Sequence, residues 1–133
     1  MIAAFVAAAR AYVGTPFRHQ GRDHLGLDCI GLVVCAARDA GYTLTDRTDY
    51  PRDPNGLLSV ELARQFDAVE TAAPGDILLM RFRGEPQHVA ILAGATLIHG
   101  YASIGRVVEH GLDVKWRRRI VQAYRLREGD AWQ

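Results

Sequence analysis

The sequence predicts an α+β fold, with helices first and an antiparallel sheet of about five strands after them. Three observations carry that prediction. Apolar residues recur with helical period only in the first half of the chain. The second half holds short apolar runs cut at regular intervals by turn residues. With 133 residues, 49% of them hydrophobic and 23% charged, the chain is long enough for one core and is read as one domain, 1–133.

Residues 2 to 12 read as an alanine-rich helix that stops at Gly14, with Pro16 preventing continuation. No basic residue precedes its apolar run, so it is read as the first core helix rather than a signal peptide. Synthesis without secretion by the general route is the expectation. Residues 15 to 28 form a loop rich in Gly, His, Asp and Arg. Helical period returns from Cys29 to about Ala40, where Ile30, Val33, Val34, Ala37 and Ala40 share a side and Gly41 ends the run. Residues 43 to 56 are polar, contain Pro51, Pro54 and Gly56, and read as a long connection of the kind that borders binding sites. Leu57 to Phe66 is the third helix. Pro74-Gly75-Asp76 then turns the chain into a buried strand at 77–82. Further strands follow at about 87–93, 96–101, 105–110 and 120–126, as an antiparallel meander.

Bulk charge names no partner. The formal net charge is +1, so a strongly basic nucleic-acid binder is not expected. The run Arg117-Arg118-Arg119 is read as a solvated face. No apolar stretch approaches the length of a membrane span. Cys29 and Cys35 are too far apart in sequence for a CxxC, and no disulfide framework is expected, as suits a reducing compartment. Cys35 is read as a small buried core residue.

Cys29 is the residue with chemistry. It stands where a Gly-punctuated loop turns into a helix, and a helix N-terminus lowers a thiol pKa. Two histidines follow, in Gln87-His88-Val89-Ala90-Ile91-Leu92 and in Leu97-Ile98-His99-Gly100. One cysteine and two strand histidines make the pattern of a Cys-His hydrolase. If Ala93-Gly94 is the hairpin turn, His88 and His99 face each other directly, with Cβ atoms about 4.5–5.5 Å apart. Val89 and Ile98 then pair on the core side. His88 would take the Cys29 proton, and His99 would fix the tautomer of His88. The backbone N–H of Cys29 is one candidate oxyanion donor. Asp28 is placed to cap the helix. Tyr50 could stand at the cleft side, and His110 is read as an exposed strand-end residue. A zinc site built from Cys29, His88, His99 and His19 uses legitimate ligands but lacks an HxxxH or CxxC pair.

Five segments in order resemble the NlpC family of papain-like cysteine peptidases, which cut bacterial cell-wall stem peptides. They are Gly14-Thr15-Pro16-Phe17-Arg18-His19-Gln20-Gly21, Asp28-Cys29 with Gly31-Leu32-Val33, Pro74-Gly75-Asp76-Ile77-Leu78, His88-Val89-Ala90-Ile91 and Ile98-His99-Gly100. The resemblance spans roughly residues 8 to 126. It is nearest to short phage-tail and gene-transfer-agent members, which carry the same Arg-His-Gln-Gly-Arg loop. It implies Cys29 as nucleophile, His88 as base and His99 as orienting residue, with no cofactor. Many members have a tyrosine where this chain has Phe17, so either a neighbouring donor such as His19 substitutes in the oxyanion hole or the hole relies on the backbone alone. Asp28 would bind a free amine of the stem peptide, and Arg18 and Arg22, with Asp23 and His24, would read its carboxylates. The implied bond joins D-glutamate to a diamino acid. The implied partners are peptidoglycan stem peptides and phage-like tail proteins, with delivery by the particle itself. A catalytically inactive tail or wall-binding subunit is the other reading, and Phe17 is its main support.

Overall fold

The computed structural model describes residues 2–52 and 56–127, so Pro54 of the long connection lies outside the described residues. Helix α1 runs over Ile2–Arg10 and buries Phe5, Val6 and Ala9. A two-stranded ribbon follows, β1 at Arg22–Asp23 and β2 at Gly26–Leu27, within the stretch expected to be loop. Helix α2 spans Cys29–Asp39 and α3 spans Leu57–Gln65. The strands are β3 (Asp67–Val69), β4 (Ile77–Met80), β5 (His88–Leu92), β6 (Thr96–Tyr101), β7 (Arg106–Gly111) and β8 (Ile120–Arg125). A one-turn helix α4, Val114–Arg117, leads into β8.

The main sheet has six strands rather than five, ordered β3-β8-β4-β5-β6-β7, with antiparallel pairing throughout. The meander is confirmed from β4 to β7. The last strand instead crosses to the other side of β4, and the added strand β3 pairs with it at the edge. Strand β3 is the three residues Asp67-Ala68-Val69, too short and too polar to carry a period of two. Arg127 pairs with Asp67 there, charging an edge that would otherwise invite another strand.

Alternation along the strands makes two apolar layers. On one face, Ile77, Leu79, Val89, Ile91, Ile98 and Val107 meet Phe5, Tyr12, Leu32 and Cys35 from the N-terminal helices and turn. On the other, Leu78, Met80, Ala90, Leu92, Leu97 and Ala123 lie under Leu112, Trp116 and Ile120. The turn before β4 is tied to β8 by charge. Asp76 is 1% exposed, accepts the Ala73 N–H at 2.7 Å and receives two Arg125 N–H bonds at 2.9 Å.

Helix α2 is held close to the loop before it. Its first turn carries Gly31, where a Cβ would stand 2.1 Å from the carbonyl oxygen of Gly21. Backbone blocks that position, so no rotamer relieves the clash. Gly31→Ala is expected to lower unfolding free energy by about 1–3 kcal/mol in urea denaturation. At Gly111, a Cβ would meet nothing within 4 Å, and Gly111→Ala should change stability by less than about 0.5 kcal/mol. Equal effects at both positions would contradict this packing.

Candidate active site

The N-terminus of α2 is buried, so its unpaired amides need partners inside the protein. Asp28 supplies the first. Its backbone is extended, and its Oδ1 accepts the Gly31 N–H at 2.7 Å as an N-cap. The same carboxylate accepts the Gln20 N–H at 2.8 Å, an Arg22 N–H at 3.2 Å and the Tyr50 hydroxyl at 2.5 Å. Gln20 adopts φ 63, the left-handed region, and this turns its amide toward Asp28. Its side chain also donates to the Tyr50 carbonyl at 2.8 Å.

Arg22 binds the two flanking loops together. It donates to both oxygens of Asp46 at 3.0 Å, to Gly21 O and Arg47 O at 2.9 Å, and to the Tyr50 hydroxyl at 2.9 Å. The carboxylates it holds are therefore this chain's own Asp28 and Asp46. Arg18 is exposed, with its stem over Gly26. His24 is stacked on Tyr12 at 4.3 Å between centroids. His19 is half-buried with its ring edge-on to Tyr50 at 5.5 Å.

A cleft of about 200 Å3 opens over this network. Phe17, His19, Asp28, Cys29 and Val89 line it, together with residues from 44–52 and 56–58. The long connection does border a cleft, and Tyr50 is on its wall. Phe17 contributes a ring without a hydroxyl at the position singled out by its sequence context.

Cys29 is buried, and the helix N-terminus does not make it a thiolate. Burial first, then the Asp28 charge, push its thiol up to about 12, against backbone amides of Val89, Ile30 and Cys29 itself. The expected lowering fails chiefly because burial disfavours the thiolate, and the Asp28 carboxylate on the positive end of the helix adds to that. The resting sulfur is a neutral thiol. Cys35 is fully buried and donates to Arg22 O at 3.1 Å, as a small core residue.

The histidine register differs from the expected one. The Ala93 N–H bonds Thr96 O at 2.8 Å, so the turn residues are Gly94-Ala95. Ile91 pairs with Ile98 and Leu92 with Leu97. His88 and His99 are therefore diagonal neighbours rather than direct partners. The shift is by two residues, so both keep one face and Val89 and Ile98 keep the helix side. The imidazoles nonetheless touch: His88 Nε2 and His99 Nδ1 lie 2.6 Å apart. Beyond Ile91 the two strands no longer pair, and the α2 terminus enters at that separation. A Cβ on Gly100 would stand 3.0 Å from the Asp28 carbonyl and 3.3 Å from Cys29 N. The Cys29 thiol thus meets the Val89 amide, one residue from His88. No hydrogen bond joins the sulfur to His88 among the described residues. Contacts of this kind often tighten only when substrate binds.

Both imidazoles are buried. Phe82, Tyr101 and Trp116 enclose them, with Trp116 edge-on to His99 at 5.0 Å. The Arg119 guanidinium caps this cluster at 4.4 Å from the Trp116 centroid and 4.8 Å from Phe82. His110 is no isolated strand-end residue. It is half-buried, and its Nε2 lies 2.8 Å from His99 Nε2. Nothing in the local sequence marks it, because it joins the site only through the β6–β7 pairing of Leu97 with His110. Among the described residues, no three His, Cys, Asp or Glu side chains converge to hold a metal ion. The zinc set Cys29, His19, His88 and His99 is not assembled.

Burial, then Arg119, hold His88 down to about 3; burial, His88, His110 and Arg119 hold His99 down to about 2. In the unfolded chain an imidazole protonates near 6.5, so below that pH the unfolded state binds more protons. The contribution of these rings to stability is complete above about 6.5 and is lost as pH falls toward about 3. His88→Gln should flatten the acid side of the stability curve, read as unfolding free energy in urea between about pH 4 and 7. Equal slopes for both proteins would mean that His88 is already protonated in the fold.

The sequence model of the NlpC/P60 family matches residues 14–125. The chain is 31% identical over 122 residues to the Escherichia coli (strain K12) protein named Probable endopeptidase NlpC, covering 88% of this chain and 73% of that protein. Its fold superposes on the NlpC/p60 domain of the peptidoglycan hydrolase SagA with a TM-score of 0.64 and 27% identity, over 95% of this chain and 99% of that one. An NlpC/P60 family protein of Bacillus cereus superposes with a TM-score of 0.74 at 22% identity, over 95% of this chain. The chain spans 40% of that protein, and 17% of protein P54 of Enterococcus faecium, to which it is 36% identical over 99 residues. A family match over most of the chain and a papain-like α+β fold shared with solved relatives lead to one assignment: the chain belongs to the NlpC/P60 family.

Proposed function

We propose that this chain is a cysteine endopeptidase that hydrolyses peptidoglycan stem peptides, with Cys29 as nucleophile and His88 as base. One observation carries the reading. Among the described residues lining the cleft, Cys29 is the one cysteine; it stands at the N-terminus of α2 against the amide of Val89, the strand neighbour of His88, whose imidazole lies 2.6 Å from that of His99. Membership in a family of cell-wall cysteine peptidases supports the same assignment.

The chemistry starts from neutral groups. As the sulfur attacks the scissile carbonyl, the S–H proton passes to Nδ1 of His88, the ring nitrogen that does not face His99. The oxyanion forms beside the backbone N–H of Cys29. The acyl-enzyme then releases its product to water, with the same imidazole as base. Phe17 packs at the cleft wall without a hydroxyl to add, which leaves His19 as the candidate second donor. Asp28 would receive a substrate amine only by exchanging one of its four bonds, because both of its oxygens are engaged. Cleavage between D-glutamate and a diamino acid belongs to this proposal through the family, and delivery by a phage-like tail through the resemblance of the Arg18-His19-Gln20-Gly21-Arg22 loop.

Purified muropeptides incubated with the protein should yield products with a newly freed diamino-acid amine, identified by mass. Cys29→Ala should lower the rate by at least about a thousandfold, as loss of a nucleophile does, without unfolding the chain. Retention of most activity by Cys29→Ala would overturn the assignment. Intact muropeptides with the wild-type protein would favour the inactive subunit.

A further inference from the structure

The His88–His99 pair does not end at His99. His99 Nε2 is 2.8 Å from His110 Nε2, and His110 Nδ1 is 3.0 Å from the Gly111 carbonyl oxygen. These contacts make one unbranched chain of three imidazoles closed by a carbonyl. We propose that His110 is a positioning residue for the reaction: anchored on Gly111 O, it sets the tautomers of His99 and His88 and receives the charge of the thiol proton. This rests on the peptidase reading, since the group it serves is the Cys29–His88 pair.

The proton assignment follows from the carbonyl. A carbonyl oxygen only accepts, so His110 Nδ1 carries a hydrogen and donates it to Gly111 O. In a neutral His110, Nε2 is then an acceptor, and His99 Nε2–H donates to it. A neutral His99 has its lone pair on Nδ1, so His88 Nε2–H donates to that. His88 is left with its lone pair on Nδ1, the state a base needs in order to take a thiol proton. If His110 instead entered as the imidazolium, both ring-to-ring bonds would reverse and His88 Nδ1 would carry a hydrogen. The tautomer at the nucleophile is therefore fixed by a carbonyl three rings away.

The same chain offers an exit for charge. An imidazolium on His88 or His99 is costly, because both rings are buried among Phe82, Tyr101 and Trp116 and face the Arg119 cation. His110 is only half-buried. In the proposed step the Cys29 S–H bond breaks and His88 Nδ1–H forms. The His88 Nε2 proton moves to His99 Nδ1, and the His99 Nε2 proton moves to His110 Nε2. The products are a thiolate and an imidazolium at His110, with protons and charge conserved. A cation at the half-open end keeps contact with solvent.

Two variants and two readouts test this. His110→Phe keeps a ring against Trp116 but neither accepts nor relays a proton. His110→Gln accepts the His99 N–H through its amide oxygen but takes up no proton. Ring-nitrogen NMR of 15N-histidine-labelled protein at neutral pH should show Nε2–H at both His88 and His99 in the wild type and in His110→Gln. In His110→Phe that assignment at His99 should be lost. Alkylation of Cys29 by iodoacetamide, followed by peptide mapping, should slow on the order of tenfold in His110→Phe, with His110→Gln between the two. If His110→Phe keeps the His99 tautomer and the wild-type alkylation rate, the proposal is wrong. Wild-type alkylation in His110→Gln would remove the relay, since an amide cannot carry the proton. Neither readout uses peptidoglycan. A wild type that spares muropeptides while both readouts depend on His110 would sink the peptidase reading and support the relay.

Discussion

A helix that begins inside a protein must have its first amides satisfied there, and at α2 the Asp28 carboxylate does this. Four donors converge on it: the Gly31 N–H, the Gln20 N–H, the Arg22 guanidinium and the Tyr50 hydroxyl. The donors come from three pieces of chain, so one carboxylate fixes the helix, the 18–28 loop and the connection that forms the far cleft wall. The left-handed Gln20 is held in that conformation by the bonds it makes on either side of Asp28. Gly31 and Gly100 have no side chain because the helix terminus lies on the Gly21 carbonyl and enters between β5 and β6.

The same constraint governs the electrostatics. Burial favours the neutral Cys29 thiol, and the Asp28 anion on the positive end of α2 offsets the field that would favour the thiolate. The imidazoles are kept neutral by their own burial and by Arg119. In the proposed reaction thiol and imidazole therefore start as neutral partners, and charge appears only as the sulfur attacks. A neutral thiol is also the less reactive form of the sulfur, since the thiolate is the nucleophile. In that proposed reaction the histidine network then carries the positive charge toward its half-open end at His110.

Helix and strand positions were largely legible in the sequence because each has a local cause. The N-cap at Asp28, the stop at Gly41 and the alternation in 88–92 and 96–101 act over a few residues. The thiol at the helix start and the common face of His88 and His99 were legible for the same reason. Strand β3 was missed because three residues show no period, and the β1–β2 ribbon because two-residue strands leave no pattern. The hairpin register was off by two residues, since Ala93-Gly94 and Gly94-Ala95 are equally acceptable turns and preserve the same faces.

What the sequence determined by itself was therefore the order of elements, the family, and the residue types at the site. Only the tertiary structure decided which charges meet. The occupation of Arg22 by Asp28 and Asp46, the neutral state of Cys29, and the continuation of the histidine pair to His110 all depend on distances between segments far apart in the chain. A pKa is set by burial and by neighbours in space. Neither can be read from a residue's place in a sequence, however clearly that place marks the residue as chemical.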